Sequence, residues 1–355
     1  VSRRTRVAVL FGGRSTEHAI SCVSAGSVLA ALDPEVYDVV AIGITPEGRW
    51  LEVPADPAAL AIVGRQLPAV AEGRPVALPG DPTTGLVPLG GGPDVLSRVD
   101  VVFPVLHGPY GEDGTVQGLL ELAGLPYVGS GVLASAACMD KAVAKVLLRG
   151  AGLPVADAVV ARLGEQRPDV ADLGLPVFVK PSRGGSSIGI SRVADLADLD
   201  LALRDAWAAD PKALIEAAVV GREVECGVVV GPAGPEASVP AEVTVRSDHA
   251  FYDFEAKYLG DAATLTVPAD LPPAVTAAVQ EMALAAFAAL DCEGLARVDF
   301  FVGPDRTLTI NEVNTMPGFT PTSMFPRMWA ASGVPYPELV DRLVQAALHR
   351  PTGLR

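Results

Sequence analysis

Arg297, Asp299, Glu312 and Asn314 form the most chemically suggestive set in the chain, within ARVDFFVGPDRTLTINEVNTMPGFTPTS (Ala296 to Ser323). Gly303-Pro304-Asp305-Arg306 predicts a turn, so the flanking runs read as two arms of a β-hairpin. Side chains alternate faces along a strand, which puts Arg297 with Asp299 and Glu312 with Asn314. Two acids and an amide converging this way make an all-oxygen donor set suited to Mg²⁺, a hard cation usually completed by phosphate oxygens. The implied partner is a nucleotide triphosphate. The arms run into Met316-Pro317-Gly318, where glycine lets backbone approach a reacting atom closely. An arginine beside a free backbone N–H is an arrangement that stabilises an oxyanion. An incidental charge cluster on a solvated hairpin is the plainer alternative.

The elements that must position this set read as α/β. Val7 to Phe11 is a buried parallel strand, followed by Gly12-Gly13 and a helix from about Thr16 to Leu32. GxGxxG is missing, which argues against a dinucleotide site. Glu17 stands at the helix start, where the dipole favours an acid in any case. Tyr37 to Ile44 and Asp100 to Leu106 are further strands, and Pro46 to Ser97 is rich in Pro and Gly, predicting loops and short strands. His107-Gly108-Pro109-Tyr110-Gly111-Glu112-Asp113-Gly114 follows at a strand's carboxyl end, where open α/β sheets place ligands. His107 fits a ligand contact and a loop anchor equally well.

From Asp140 the chain changes character. Asp140 to Leu148 predicts a capped amphipathic helix. Leu175 to Pro181 is a strand reaching Lys180, followed by the glycine- and serine-rich Ser182 to Ile190. The Walker A sequence is absent, but glycines, backbone N–H groups, hydroxyls and an ammonium supply what phosphate holding needs; alone, the loop is an ordinary hairpin turn. Glu216, Val219 and Glu223 offer an acceptor, a backbone edge and a carboxylate to an adenosine, or else a polar sheet edge. Phe251 to Leu259 mixes aromatics and charges without period and reads as an active-site loop. Pro272 to about Leu290 is an Ala-rich structural helix.

Composition excludes several classes. The 355 residues suffice for two or three cores, and 19% charged with 50% apolar residues describes a globular chain. A net charge of −15 argues against nucleic acid or an anionic membrane as a general partner, though not against ATP. Cys22, Cys138, Cys226 and Cys292 show no CxxC spacing, so buried free thiols in a reducing cytoplasm are expected. No signal peptide or bilayer-length apolar run is visible.

Taken together, LFGGRSTEHAIS (Leu10 to Ser21), LHGPYGEDGTVQG (Leu106 to Gly118), MDKAVAK (Met139 to Lys145), VKPSRGGSSIGIS (Val179 to Ser191), FYDFEAKYL, ARVDFF and INEVNTMPGFTPTS resemble the ATP-grasp superfamily. Within it they resemble the D-alanine–D-alanine ligases, in the family's order and across the whole chain. The resemblance implies an N-terminal open α/β domain (1–139, with a loop-rich insert at about 46–98) and a two-lobed ATP-grasp fold, small lobe 140–221 and large lobe 222–355. It assigns Lys141 and Lys180 to the ATP phosphates; Glu216, Val219 and Glu223 to adenine and ribose; and Asp299, Glu312 and Asn314 to two Mg²⁺ ions, with Mn²⁺ a substitute. Glu17 would receive the first D-alanine's ammonium, with Ser186 and Tyr258 as hydrogen-bonding partners. Lys257, Ser323 and Met324 would surround the second D-alanine's carboxylate, His107 would be a substrate-side histidine, and Arg297 with the Gly318 N–H would hold the oxyanion. A cytoplasmic homodimer making a peptidoglycan precursor is also implied.

Two positions depart from the family: Ala217 stands where a lysine is often found, and Gly184 where an acid is common. A D-alanine–D-lactate ligase is the nearest alternative, and Lys257-Tyr258 favours the dipeptide enzyme. Glu17, His18, Ser21 and the aromatic loop argue against a carboxylase or another carboxylate–amine ligase. A catalytically silent nucleotide binder would require losses among Lys180, Arg297, Asp299, Glu312 and Asn314, and none is lost.

Overall fold

The computed structural model describes residues 3–64, 66–90, 99–185, 188–245 and 263–350. Ser186, Lys257 and Tyr258, and the whole Phe251 to Leu259 stretch, lie outside the described residues.

In the first unit, β1 (Thr5–Gly12) pairs in parallel with β2 (Tyr37–Ile44) and with β6 (Val101–Pro104). The apolar run Val7 to Phe11 is fully buried at the sheet centre because α1 (His18–Ala31) covers one face. The Pro- and Gly-rich region extends the same sheet with short antiparallel strands β3 (Trp50–Val53), β4 (Arg74–Ala77) and β5 (Val87–Pro88), giving the order β5-β4-β3-β2-β1-β6. Three helices follow: α2 (Thr115–Leu122), α3 (Val132–Met139) and α4 (Lys141–Gly150). Asp140 caps α4, its carboxylate accepting the Val143 N–H at 3.3 Å, as its residue type predicts.

A second sheet takes β7 (Ala158–Arg162), β8 (Val177–Pro181), β9 (Ser191–Val193) and β10 (Lys212–Ala217) in the order β7-β10-β8-β9, covered by α5 (Leu199–Ala209). The glycine- and serine-rich stretch joins β8 to β9.

The third sheet runs through β14 (Ala263–Thr266), β13 (Ala241–Val245), β11 (Arg222–Gly231), β15 (Leu295–Val302) and β16 (Leu308–Asn314), with β12 (Gly234–Ala237) paired to β11. The Ala-rich helix α6 (Pro273–Ala289) packs on it through Val275, Val279, Ala283, Ala286 and Phe287, spaced at helical period. Last come α7 (Met324–Ala331) and α8 (Tyr336–His349). A single apolar core joins α1 of the first unit to Phe319, Phe325 and α8, so the first and third sheets share one interior. Among the described residues, no helix is long and apolar enough to cross a membrane.

All four cysteines are buried and unbridged. The sequence separates Cys138 from Cys292 widely, yet the fold brings their sulfurs to 3.8 Å.

Candidate active site

The predicted hairpin is formed by β15 and β16, with Arg297 opposite Asn314 and Asp299 opposite Glu312. Beyond that pair the register shifts, so Asn311 is an extra residue on β16. Ile310 and Val313 are buried while Asn311, Glu312 and Asn314 remain partly exposed. The bulge thus turns adjacent residues, Asn311 and Glu312, toward the cleft where strict alternation would allow only one.

Arg297 makes a bidentate pair with Asp299, Nε to Oδ1 and Nη2 to Oδ2 both at 2.7 Å, and its Nε lies 3.2 Å from Glu225 Oε2. Burial works against its charge, but Asp299 and Glu225 hold the guanidinium's pKa well above its ordinary value. Asn314 Nδ2 donates to Asp299 Oδ2 at 3.0 Å. Lys141 reaches across from α4 to Glu312 Oε2 at 3.1 Å and to the Gly184 carbonyl at 2.8 Å. Asp299, Glu312 and the Asn314 amide oxygen are hard donors flanked by cations, a set that fits a hard divalent ion coordinated jointly with phosphate.

Facing the hairpin, the second sheet supplies the other wall of a cleft of about 350 Å³ lined by Lys141, Lys180, Glu216, Val219 and Glu223. Glu216 is buried between two lysines, Lys180 on Oε2 and Lys145 on Oε1. Burial raises the Glu216 pKa, and the two ammonium groups more than reverse this, leaving it below the ordinary carboxylate value. Burial lowers the Lys145 pKa, which Glu216 only partly offsets. Phe178, Ile190 and Phe301 add apolar walls, and the lining includes Ala217, the position where the resembled family often has a lysine.

The first unit enters from above. Glu17, at the N-cap of α1, brings its Oε2 against Gly108 and Gly185, where an added Cβ would lie 2.9 and 3.1 Å away. A side chain at Gly108 would force this carboxylate to shift, and one at Gly185 would crowd it. His107 is buried, its Nδ1–H donating to the Met316 carbonyl at 3.1 Å and its Nε2 facing the Ser24 hydroxyl at 3.2 Å. The carbonyl only accepts, so Nδ1 carries a proton, and burial pushes the ring's pKa down, opposed by the charge of Glu17 and the bond to Met316. Of the two readings left open for His107, both ring nitrogens are engaged as an anchor would require.

Gly318, Ser323 and Met324 line an adjoining cavity of about 230 Å³ together with Arg297. Ser323 occupies the N-cap position of α7 without a side-chain capping bond, its hydroxyl lying 2.8 Å from the Thr320 hydroxyl instead. Lys141, Lys180, Glu216, Val219, Glu223, Asp299 and Glu312 thus line the first cavity and Gly318, Ser323 and Met324 the second, with Arg297 on both; Asn314 reaches the set through Asp299, and Glu17 through Gly185.

Sequence reasoning passed over four residues here. Lys145 was signalled by its spacing, one helical turn after Lys141. Glu225 was signalled by strand alternation with Glu223, and its register partner is Asp299. Asn311 depends on the bulge and left no signal. Glu112 joins the two halves of the site: Oε2 accepts the Gly108 N–H at 2.7 Å and Oε1 accepts the Met316 N–H at 3.0 Å. Burial, reinforced by the charge of Glu17, pushes its pKa up to about 8.

Family models described as D-ala D-ala ligase N-terminus and D-ala D-ala ligase C-terminus match residues 6–130 and 147–345. The chain belongs to the D-alanine–D-alanine ligase family. It is 62% identical to the D-alanine–D-alanine ligase of Frankia casuarinae, with 99% of each chain covered. Among solved structures, VanG D-Ala:D-Ser ligase from Enterococcus faecalis superposes with a TM-score of 0.84 at 33% identity, covering 97% of this chain and 100% of that one. The D-alanine–D-alanine ligase of Bacillus anthracis, solved in complex with ATP, gives a TM-score of 0.73 at 28% identity, covering 97% of each. These neighbours share the ATP-grasp architecture expected from the motifs.

Proposed function

We propose that the protein ligates two D-alanines to D-alanyl-D-alanine at the expense of ATP, through a D-alanyl phosphate. The observation that carries this reading is the in-register hairpin of Arg297, Asp299, Glu312 and Asn314 facing Lys141 and Lys180 across one cleft, with Glu17 entering from the first unit. Membership of the family at full length supports the same reaction.

In this reading the apolar walls and Glu223 take the nucleoside, while Lys141 and Lys180 exchange their carboxylate partners for phosphate oxygens. Glu17 orients the first D-alanine through its ammonium, aiming the carboxylate at the γ-phosphorus, with Ser186 and Tyr258 as its partners. Carboxylate attack forms the acyl phosphate and releases ADP. The second D-alanine, its carboxylate held near Lys257, Ser323 and Met324, attacks the acyl carbon with its free amine. Arg297 and the Gly318 N–H stabilise the oxyanion, which collapses to the peptide and inorganic phosphate. His107 and Glu112 act through the Met316 turn they hold. Two Mg²⁺ ions, or Mn²⁺ in their place, would be held by Asp299, Glu312 and Asn314, and would offset phosphate charge. A cytoplasmic homodimer joined through the first unit, supplying peptidoglycan precursor, completes the reading by family resemblance.

The test is Mg²⁺-dependent phosphate release from ATP with D-alanine, L-alanine, or D-alanine plus D-lactate, products being identified by mass. Release requiring D-alanine and yielding D-alanyl-D-alanine is expected. A depsipeptide product, or nucleotide binding without turnover, would overturn the assignment.

A further inference from the structure

The segment after the short helical turn Pro57–Leu60 belongs to the loop-rich insert, which the reaction leaves without a role. Two contacts pin it against α1. Gly26 leaves room for Leu60, since a Cβ there would lie 3.1 Å from Leu60 Cβ. His18 accepts the Val70 N–H on Nε2 at 3.1 Å while its Nδ1–H donates to the Gly13 carbonyl at 2.7 Å. Leu60 and Val70 are both buried, yet Ile62 between them is 38% exposed. It is exposed into the same 230 Å³ cavity that holds Arg297, Gly318, Ser323 and Met324. Ile20 and Val23, one helical turn apart on α1, line that cavity beside it.

Building on the ligase reading, we infer that Ile62, brought by the insert to the cavity that Ile20 and Val23 also line, is a specificity-determining wall for the side chain of the second amino acid. Arg297, Gly318 and Ser323, with Thr320, Thr322 and the Arg297-paired Glu225, form the polar lining, suited to the reacting and charged ends of an amino acid. Ile20, Val23, Ile62 and Met324 form the apolar lining, suited to its methyl group. Ile62 lies two residues after Leu60, the first of these fixed points, and its β-branched side chain is stiff at χ1, so it limits size instead of yielding. Acceptors differ within this fold, VanG being a D-Ala:D-Ser ligase, so the fold alone does not set the acceptor.

The experiment offers D-alanine together with D-2-aminobutyrate or D-valine and sequences the dipeptide products by tandem mass spectrometry. Ile62→Ala is expected to raise the share of product carrying the larger residue at the C-terminal position by about tenfold, the scale of a methylene or two in an apolar pocket. Ile62→Phe is expected to raise KM for the acceptor. In both, KM for ATP and D-alanine at the N-terminal position stay as in the unsubstituted protein. Product ratios unchanged in both variants would overturn the inference, as would the larger residue entering at the N-terminal position. Failure of the unsubstituted protein to join D-alanine at all would overturn the ligase reading instead.

Discussion

Arg297 has no conservative replacement in this site. Its planar fork satisfies both oxygens of Asp299 and also approaches Glu225, and an ammonium cannot reproduce those parallel bonds. Arg297→Lys keeps a cation between the two acids, so the fold holds, but turnover should fall by roughly 10²-fold, the usual cost of losing an oxyanion donor. Steady-state phosphate release beside a nucleotide titration checks this; full turnover would remove Arg297 from the chemistry. Glu112 is a different kind of residue, since both its oxygens accept backbone N–H groups from separate units. An amide has one acceptor oxygen, so Glu112→Gln leaves one N–H facing a donor and should cost about 1–3 kcal/mol in urea unfolding. The pKa of Glu112 is raised from an ordinary 4.5 to about 8, with Glu17 and Arg297 the charged groups facing it. The folded state therefore binds more protons over that interval, and the contribution is fully present below 4.5 and lost as pH rises through 8. Stability of Glu112→Gln should accordingly vary less between pH 5 and 8 than that of the parent, about the window set by this shift.

At the level of elements, the hairpin owes its function to register. Val313 faces the core and Asn314 the cleft, so one alanine inserted between them turns Asn314 inward and swings the Met316 turn. Peptide formation should drop to background, and a helical and sheet content unchanged by circular dichroism would separate this from unfolding. Turnover retained after the insertion would show that the strand face is not what positions the metal-binding set. The arms and turn were legible from alternation and the Gly303-Pro304 pair. The bulge that admits Asn311 was not, because it is set by how two strands accommodate each other. Likewise, Lys141 and Lys145 were readable as one helix face, but their separate partners, Glu312 and Glu216, lie on different sheets.

At the scale of the molecule, Phe319 decides how the first and third sheets meet. It is fully buried, with ring centroids 5.9 Å from Phe103, 5.9 Å from Phe325 and 5.7 Å from Tyr336, whose hydroxyl donates to the Phe319 carbonyl at 2.6 Å. Gly318 is its neighbour, so packing here also aims the proposed oxyanion donor. Phe319→Ala should cost about 3–5 kcal/mol, the range for a buried aromatic truncation. It should also lower kcat more than it raises KM for ATP, since the nucleotide cleft is lined by other elements. Equal effects on kcat and on KM for ATP would mean the shared core does not govern Gly318.

Local pattern was enough to read the central strands of the first unit, the strand reaching Lys180, the arms of the hairpin, the glycine turns and the residue types of the site, because alternation, helical spacing and glycine placement act over a few residues. The strands Ala158–Arg162, Ala241–Val245 and Ala263–Thr266 were not legible this way. The sequence by itself also carried the family resemblance that drew the separate motifs together. Tertiary structure alone decided the pairings: Glu112 with Met316, Lys145 with Glu216, Cys138 with Cys292, and Ile62 with the cavity beside Arg297. Those partners are separated by tens to hundreds of residues, and local propensity has no access to them. They follow from how buried surfaces close against each other, which depends on the whole packed interior.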